Sequence, residues 1–427
     1  MLIQLALVML VLLLLGFPML VPLMAGALLL ALVFLGVDPS NLISAMIRGV
    51  EPTVLIAVPM FIFAADIMTR GHTANRLLDL VMSFVGHLRG GLPITAAVSC
   101  TLFGAVSGST QATVVAMGQP LRPKLLKAGY KDSFALALII NASDIALLIP
   151  PSIGMIVYGV ASGTSVGELF IAGIGPGLLI LAMFSLYCYV LSRRQGIPTL
   201  PRADWRQRLR ASRKALLALG FPLIVIGGIY SGLFSPTEAA AVSVLYALIL
   251  ELMVFRSLSW RDIPSVALST GLITAVVFIL VAAGGAFSWA ISFAQIPQLL
   301  LGDFIVTAAD NPTLVLTVIC IAFFIGCMFV DPIVVILVLT PIFAPAVAAS
   351  GLDPVLVGTL ITLQVAIGSA TPPFGCDIFT AIAVFRRPYL EVIRGTPPFI
   401  FMLILATALL IAFPQIALFL RDLAYGP

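Results

Sequence analysis

The chain has 427 residues, of which 61% are hydrophobic and only 9% are charged, and it carries a net charge of +4. A soluble domain is typically about one quarter charged, so this composition excludes a soluble globular protein and indicates a chain that crosses a membrane many times. The 22 lysine and arginine residues lie in short loops, where positive charge sets membrane orientation, so they do not indicate nucleic-acid binding.

Apolar segments of membrane-spanning length recur along the whole chain. A helix needs about 20 apolar residues to cross the hydrocarbon core, and on that measure the sequence predicts about 11 to 12 membrane helices and no soluble domain. We therefore expect an all-α polytopic membrane protein. The 5 cysteines lack the spacing of metal ligands, so we expect them to act as small hydrophobic residues.

The first 91 residues contain short apolar segments and a basic segment. Residues 1–36 are too long for one upright helix and break at 16–18, which leaves two short spans or one kinked span as alternatives. Residues 53–68 form the next span. The basic segment that follows contains His72 and His87 and has helical apolar periodicity, which is typical of a helix at the membrane interface.

Residues 92–118 form an apolar segment with basic residues on both flanks and Ser-Gly-Ser-Thr at its centre. Because both flanks are basic, we expect both ends in the cytoplasm, which predicts a re-entrant hairpin. An ordinary span with a face of small residues is the alternative. Residues 133–160 then lead outward with a break at 141–151, and residues 168–192 return to the cytoplasm.

The basic segment at 193–214 is predicted to be cytoplasmic, and no Lys or Arg occurs between Asp262 and Phe385. The segments predicted after residue 214 are spans at 215–234, 238–254 and 269–290, an outer interfacial stretch at 292–312 with Asp303 and Asp310, a hairpin at 313–341, a broken span at 354–385 and a last span at 396–414. Arg48 and Arg421 are predicted to lie outside, against the positive-inside rule.

An internal repeat relates the two broken regions. Adding 222 to five landmarks of the first region gives the same residue type in the second; the pairs are Gly104 and Gly326, Pro123 and Pro345, Gly129 and Gly351, Pro150 and Pro372, Pro151 and Pro373. The turn RPKLLKAGYK of the first copy has four basic residues, whereas the matching turn APAVAASGLD has none. By the positive-inside rule, the first turn is cytoplasmic and the second is external, which predicts an inverted repeat. Inverted repeats are typical of secondary transporters with a ligand site between the repeats.

The candidate ligand site combines the two hairpin tips, 107–110 and 326–332, with the two helix breaks, 141–152 and 368–375. Unwound backbone leaves carbonyl oxygens for a small cation such as Na+, and half-helix N-termini favour a carboxylate. This chemistry predicts a cation-coupled carboxylate carrier. The candidate substrate-binding residues are Ser107, Gly108, Ser109, Thr110, Asn141, Ser152 and Thr371.

Asp144 and Asp331 are the ionisable residues at membrane depth within these elements. Each is interpreted as a cation ligand or proton carrier, with a carboxylate that caps a broken helix as the alternative. Asp377 has the same two interpretations but lies nearer the exit. An enzyme is not expected, because a serine nucleophile at Ser107 would need a buried histidine and the 2 histidines lie in the basic segment.

Nine motifs point to one family. They are VPMFIFAADIM (58–68), FGAVSGSTQAT (103–113), AGYKDSFA (128–135), IPPSIGMIVYG (149–159), GELFIAGIGPG (167–177), SPTEAAAV (235–242), the tip with Gly326 and Asp331, SGLDPVLVG (350–358) and ATPPFGCDIF (370–379). Their joint order and spacing are more specific than any single motif. In this respect the chain resembles the large membrane subunit of tripartite ATP-independent periplasmic (TRAP) transporters over nearly its whole length.

The resemblance implies a Na+-driven importer of an organic acid, of the C4-dicarboxylate or sialic acid type, in a bacterial inner membrane. It implies two partners, which are a small four-helix membrane subunit of Q type and a periplasmic substrate-binding protein of P type. More than one Na+ ion and no organic cofactor are expected. The Na+ ligands implied at matching positions, largely through backbone carbonyls, are Ser107, Ser109, Asn141, Ser143, Asp144, Pro150, Gly326, Met328, Asp331, Gly368, Thr371 and Pro372.

The resemblance also implies an elevator mechanism, in which a transport domain moves against a scaffold. The implied division is scaffold and interfacial arm at 1–91 and 166–312, transport-domain halves at 92–165 and 313–386, and a C-terminal segment with the final span at 387–427. The main alternative is a stand-alone Na+/carboxylate symporter of another inverted-repeat family, which would need no binding protein. A non-transporting membrane subunit of an ion-pumping complex is a third interpretation.

Overall fold

The structure is a computed structural model that describes residues 1–71, 73–308 and 311–426, without the side chains of residues 303, 305, 307 and 308. The predictions about His72, Asp310 and the side chain of Asp303 lie outside the described residues. Every described secondary-structure element is a helix, as the sequence predicts.

Residues 1–36 form two separate helices rather than one kinked helix. The first three helices are α1 (Leu2–Leu14), α2 (Leu20–Leu28), which a π-helical turn at Leu29–Phe34 extends, and α3 (Ser40–Val50). Gly16 separates α1 from α2 with a left-handed φ of +78°, a conformation that glycine adopts without steric cost.

The first broken region folds as two paired helices followed by a divided one. The helices are α4 (Ala57–Arg70) after a 3-10 turn at Thr53–Ile56, α5 (Thr73–Val85), α6 (Gly91–Ser107), α7 (Thr110–Lys127), α8 (Asp132–Asp144) with a 3-10 turn at Ile145–Leu147, and α9 (Ile153–Ser162). Helix α6 turns into α7 through Gly108 and Ser109, and α8 and α9 are the halves of one interrupted segment.

Five longer helices connect the two broken regions. They are α10 (Val166–Gln195), α11 (Trp205–Tyr230), α12 (Pro236–Leu248) with a π-helical extension at Ile249–Val254, α13 (Ile263–Phe293) and α14 (Ile296–Ala308). Capping boxes begin α11 at Asp204 and α12 at Ser235. Helix α13 packs against α3, and α12 packs against α4, so these helices form a frame beside the broken regions.

The second broken region repeats the first. The remaining helices are α15 (Pro312–Phe329), α16 (Pro332–Ser350), α17 (Pro354–Ser369), α18 (Cys376–Phe385), α19 (Tyr389–Ile393), α20 (Pro397–Ala412) and α21 (Gln415–Tyr425). Adding 222 to Ser107, Thr110 and Asp132 gives Phe329, Pro332 and Pro354, which bound α15, α16 and α17. The order of helices thus recurs at the offset seen in the sequence, while opposite membrane orientation stays a prediction.

Short polar caps explain where the repeated helices begin. In the second copy, α15, α16 and α17 each start with proline, directly after Asn311, Asp331 and Asp353, whose side chains accept hydrogen bonds from backbone N–H groups of the first turn. An Asx residue followed by proline is a strong helix start, because the side chain caps the helix and proline needs no N–H partner.

Within the described residues, seven helices are long and apolar enough to cross a membrane, or eight if the pair α20 and α21, bent by 55°, is one span. This number is lower than the predicted 11 to 12, because tips and breaks divide several predicted spans into apolar helices of 10–17 residues. Among those shorter helices are α6, α9, α17 and α18.

The two broken regions interlock at the centre of the molecule. Helix α9 of the first copy packs against α16 of the second, and α18 of the second copy packs against α7 of the first. All residues of α8 from Phe134 to Asp144 and all residues of α17 from Val355 to Ser369 are buried. Tips and breaks from both copies are therefore brought together around α8 and α17.

Candidate substrate and cation site

The first hairpin tip, 107–110, packs directly against the first break. Helix α6 ends at Ser107 because Gly108 adopts a left-handed φ of +61°. A Cβ atom at Gly108 would lie 2.4 Å from the carbonyl oxygen of Pro151, a separation that side chains do not tolerate. Only glycine therefore allows this approach, and the predicted pairing of tip and break is present in the structure.

Hydroxyl groups hold the first tip in shape. The Oγ of Ser107 lies 2.9 Å from Oγ1 of Thr113, and Thr113 in turn donates to the carbonyl oxygen of Ser109 at 2.8 Å. The Oγ of Ser109 caps α7 by accepting from the N–H of Ala112. These hydroxyl groups stabilise the tip, and their remaining lone pairs can accept from a ligand or coordinate a cation.

The first break is buried and lies between α8 and α9. A cis peptide bond joins Pro150 to Pro151, and Ser152 caps α9 by accepting from the N–H of Met155 at 3.3 Å. Asn141 donates through Nδ2 to the carbonyl oxygen of Ala137 at 2.8 Å, but its Oδ1 has no hydrogen-bond partner among the described residues. A buried amide oxygen without a donor is a candidate ligand atom.

Ser143 is one of the expected Na+ ligands on α8. Its Oγ donates to the carbonyl oxygen of Ile139 at 2.7 Å, one turn earlier in the helix. The hydroxyl is fully buried and keeps oxygen lone pairs for a cation.

The second tip, 326–332, packs against the second break in the same way. The N–H of Phe374 donates to the carbonyl oxygen of Met328 at 3.1 Å, and a Cβ atom at Gly368 would lie 2.4 Å from Cβ of Cys327. The hydroxyl of Thr371 donates to the carbonyl oxygen of Ile367 at 2.6 Å. The break contains a second cis peptide bond, between Pro372 and Pro373.

Asp331 caps a helix. Its Oδ1 accepts from the N–H of Ile333 at 2.9 Å at the start of α16, and the residue is exposed. This is the capping role that the sequence left open as the alternative, and the second carboxylate oxygen stays available to a cation.

Asp377 lies beside the first tip, although it is absent from the predicted ligand set. It lies in the first turn of α18 and is fully buried, and its Oδ1 accepts from Oγ1 of Thr110 at 2.7 Å. Helix α8, which carries Asp144, also packs against α18. Asp377 lies directly after the break, at the N-terminus of a half-helix. This position in the sequence is the signal that indicates a functional carboxylate.

The two halves of the site differ in exposure. All residues from Asn141 to Ser152 are buried, whereas Phe374 in the second break is 57% exposed and Phe329 beside the second tip is 56% exposed. Irregular backbone at membrane depth is tolerated against water or protein but not against lipid. The face that carries Phe374 therefore borders an aqueous space or another protein.

A separate crevice lies between the frame and the broken regions. Its volume is about 420 Å³, and it is lined from α3 and α13 on one side and from α9 and α16 on the other. Asn41, Arg48, Ser288 and Trp289 contribute its polar and aromatic surface. None of the predicted site residues lines this crevice.

A family model described as "Tripartite ATP-independent periplasmic transporter, DctM component" matches residues 6–416. The chain is 69% identical to the ectoine TRAP transporter large permease protein TeaC of Halomonas elongata, over 97% of both chains. It is 68% identical to the ectoine/5-hydroxyectoine TRAP transporter large permease protein UehC of Ruegeria pomeroyi, over 98% of both chains. Relatives named for C4-dicarboxylates or sialic acid match at 30–36% identity.

The fold is similar to a solved transporter structure. The crystal structure of the YdaH transporter of Alcanivorax borkumensis matches with a TM-score of 0.64 and 15% identity, over 87% of this chain and 86% of that chain. At this identity the likeness concerns the fold alone.

Proposed function

This chain belongs to the family of large membrane subunits of TRAP transporters, and we propose that it imports ectoine with the energy of a Na+ gradient. Membership makes it a multi-pass protein of the bacterial inner membrane and confirms the expectation that it is a transporter subunit rather than an enzyme. Membership also removes the alternative of a symporter from another family.

The identity of the substrate is supported by the gap between two groups of relatives. Identity of 68–69% over nearly the whole chain links this protein to permeases named for ectoine, whereas permeases named for C4-dicarboxylates or sialic acid are 30–36% identical. Ectoine is a cyclic amidine that carries a carboxylate, so it is a zwitterion at neutral pH. We therefore replace the expected C4-dicarboxylate or sialic acid with ectoine.

Coupling to Na+ is supported by the oxygen atoms at the tips and breaks. Hard cations take carbonyl, carboxylate and hydroxyl oxygens as ligands, and both halves of the site offer these at interrupted backbone. The amide oxygen of Asn141 is buried and unpartnered among the described residues. The oxygen atoms proposed to hold Na+ belong to residues that the resemblance implies at both tips and both breaks, among them Ser143 and Thr371.

The proposed mechanism is an elevator with two partner proteins. The halves at 92–165 and 313–386 interlock through the pairs α9 with α16 and α7 with α18, which supports their movement as one transport domain against the scaffold. A small four-helix membrane subunit would complete the scaffold, and a periplasmic binding protein would deliver the substrate.

Uptake into proteoliposomes tests this function. The chain is reconstituted with its small membrane subunit, and labelled ectoine is supplied with the cognate binding protein under an inward Na+ gradient. We expect uptake that requires both the binding protein and Na+, and that excess succinate or sialic acid does not reduce. Uptake that succinate abolishes, or that proceeds without the binding protein, would contradict the proposal.

A further inference from the structure

Two carboxyl groups from different repeats meet in the interior without a cation beside them. Asp144 is 1% exposed and Asp377 is 0% exposed, and α8, which carries Asp144, packs against α18, which carries Asp377. No ion pair among the described residues includes either of them. Buried carboxylates without a positive partner are costly, so such a pair either shares a proton or takes up a positively charged ligand.

Unpartnered oxygen atoms surround the same point. Both carboxylate oxygens of Asp144 and Oδ2 of Asp377 have no hydrogen-bond partner among the described residues. Asn141 lies one helical turn before Asp144 on the same face of α8, is 0% exposed, and has an unpartnered Oδ1. The one donor in place is the hydroxyl of Thr110, which is bonded to Asp377. A ligand that satisfies these atoms must bring N–H donors or a metal ion.

A planar amidinium satisfies them with directed hydrogen bonds. Its N–H groups donate in parallel to a carboxylate, as a guanidinium does, and its charge offsets that of the acid pair. On the exposed side of the second break, the ring centroid of Phe374 lies 6.0 Å from that of Phe329. Aromatic faces attract delocalised cations.

Resting on the proposed function, we propose that Asp144 and Asp377 bind the cationic amidinium end of the zwitterionic substrate. Asp144 then acts as a substrate ligand and not as a Na+ ligand. The internal repeat does not duplicate this pair of acids. The position that matches Asp144 in the second copy is Ala366, and the position that matches Asp377 in the first copy is Met155, each at the offset of 222. Each repeat contributes one acid at a position where the other has an apolar residue.

The first tip controls access to this pair. Thr110 bonds Asp377 directly, and the next residue, Gln111, is exposed. Because both acids are buried, a substrate reaches them only when the tip separates from α18. The bond between Thr110 and Asp377 is thus the contact that an entering amidinium replaces.

A binding measurement on the purified complex tests the inference without relying on transport. The full chain with its small membrane subunit is heated in the presence of acetamidinium, with neutral acetamide as the matched probe. We expect acetamidinium, but not acetamide, to raise the Tm of the wild type. Asp144→Asn and Asp377→Asn should each raise the half-saturating acetamidinium concentration at least about tenfold.

Glu251→Gln is the matched control, because it removes another fully buried carboxyl group, one that bonds Thr73 and Ser257 away from the pair. Its response to acetamidinium should equal that of the wild type. Equal responses of the wild type to acetamidinium and acetamide would overturn the inference, even if both Asn variants failed to fold. An unchanged half-saturation in the two Asn variants would overturn it as well.

Two further outcomes distinguish an amidinium site from a metal site, and the failure of this inference from the failure of the proposed function. If Na+, and not acetamidinium, gives the stabilisation that depends on Asp144 and Asp377, the pair is a metal site and the inference is wrong. If acetamidinium binding depends on both acids but the complex takes up no ectoine, the cation site stands and the proposed substrate is wrong.

Discussion

The two broken regions have the same backbone plan and different chemistry. Helix α6 ends, and α7 and α8 begin, 222 residues before the corresponding bounds of α15, α16 and α17, and in each copy the tip packs against its own break. The first break is buried with Asp144 at its edge, whereas the second is partly exposed and presents Phe374. The repeat fixes the shape of the site, while its charge and access come from residues that do not repeat.

Thiol labelling tests the proposed opposite orientation and has the largest expected effect, since it is all or none. Gly129→Cys and Gly351→Cys lie in matching turns, and each has open space where a side chain would project. A membrane-impermeant reagent should label Gly129→Cys from the cytoplasm alone and Gly351→Cys from the periplasm alone. Labelling of both from one side would rule out the inverted repeat.

The unaltered chain is the control for this labelling. Four of its cysteines are buried, and Cys376 is partly exposed. The amount of reagent bound by the unaltered chain measures the background labelling. If this background is significant, Cys376→Ser removes the partly exposed native thiol.

A methyl group at the first tip should have the next largest effect. Gly108→Ala places Cβ against the carbonyl oxygen of Pro151 and keeps a left-handed residue that costs about 1–2 kcal/mol. We expect a clear fall in Tm and a loss of ectoine uptake of more than about tenfold, because the tip can no longer seat against the break.

Gly129→Ala is the matched control for that change. Gly129 also has a left-handed φ, of +96°, but nothing lies within 4 Å of its would-be Cβ atom. Gly129→Ala should lower Tm only by the cost of the left-handed backbone, and it should retain most of the ectoine uptake. Equal losses in the two variants would show that backbone strain, not the contact with Pro151, determines the effect.

A smaller effect is expected at the charged cluster that anchors the second copy. Arg421 donates to Asp353 at 2.6 Å and to Glu168 at 3.3 Å, which ties α21 to the starts of α17 and α10. Arg421→Gln should reduce stability by about 1–3 kcal/mol, the range for hydrogen bonds to charged groups, and lower Tm. Arg206→Gln is the control substitution, because Arg206 is exposed and makes no hydrogen bond to a carboxylate among the described residues. An equal fall in Tm for Arg206→Gln and Arg421→Gln would contradict the anchoring role of Arg421.

The smallest effect is expected in the pH dependence of the corresponding cluster in the first copy. Arg122 donates to Asp132 at 2.6 Å and holds the pKa of that carboxyl group below its ordinary value of 3.8. Because the folded pKa is the lower one, the stabilisation is present above pH 3.8 and is lost as the pH falls through the folded pKa.

Comparison of Asp132→Asn with the wild type measures this contribution. The wild type should have the higher Tm at neutral pH, and the difference should shrink as the pH falls below 3.8. A difference that stays constant down to that range would show that the carboxylate charge contributes nothing.

The sequence predicted the repeated helices well, because glycine and proline set local backbone shape and both are visible in one chain. From the residues it placed both tips and both breaks in one site, while the family resemblance implied that each tip lies at its own break. Its count of 11 to 12 includes interrupted segments, which the structure divides into helices shorter than a membrane is thick. It interpreted Asp377 as a cation ligand, a proton carrier or a capping carboxylate but left it out of the ligand set, because the direction of that side chain depends on how α18 packs against α7, which no local pattern shows.

The most direct test of Na+-coupled ectoine import follows both solutes in one preparation. Proteoliposomes that contain the chain and its small membrane subunit receive labelled Na+ and labelled ectoine with the binding protein. The expected result is that the two enter together and that removing either one stops uptake of the other. Ectoine uptake at full rate without Na+, or Na+ entry that is indifferent to ectoine, would contradict the proposed coupling.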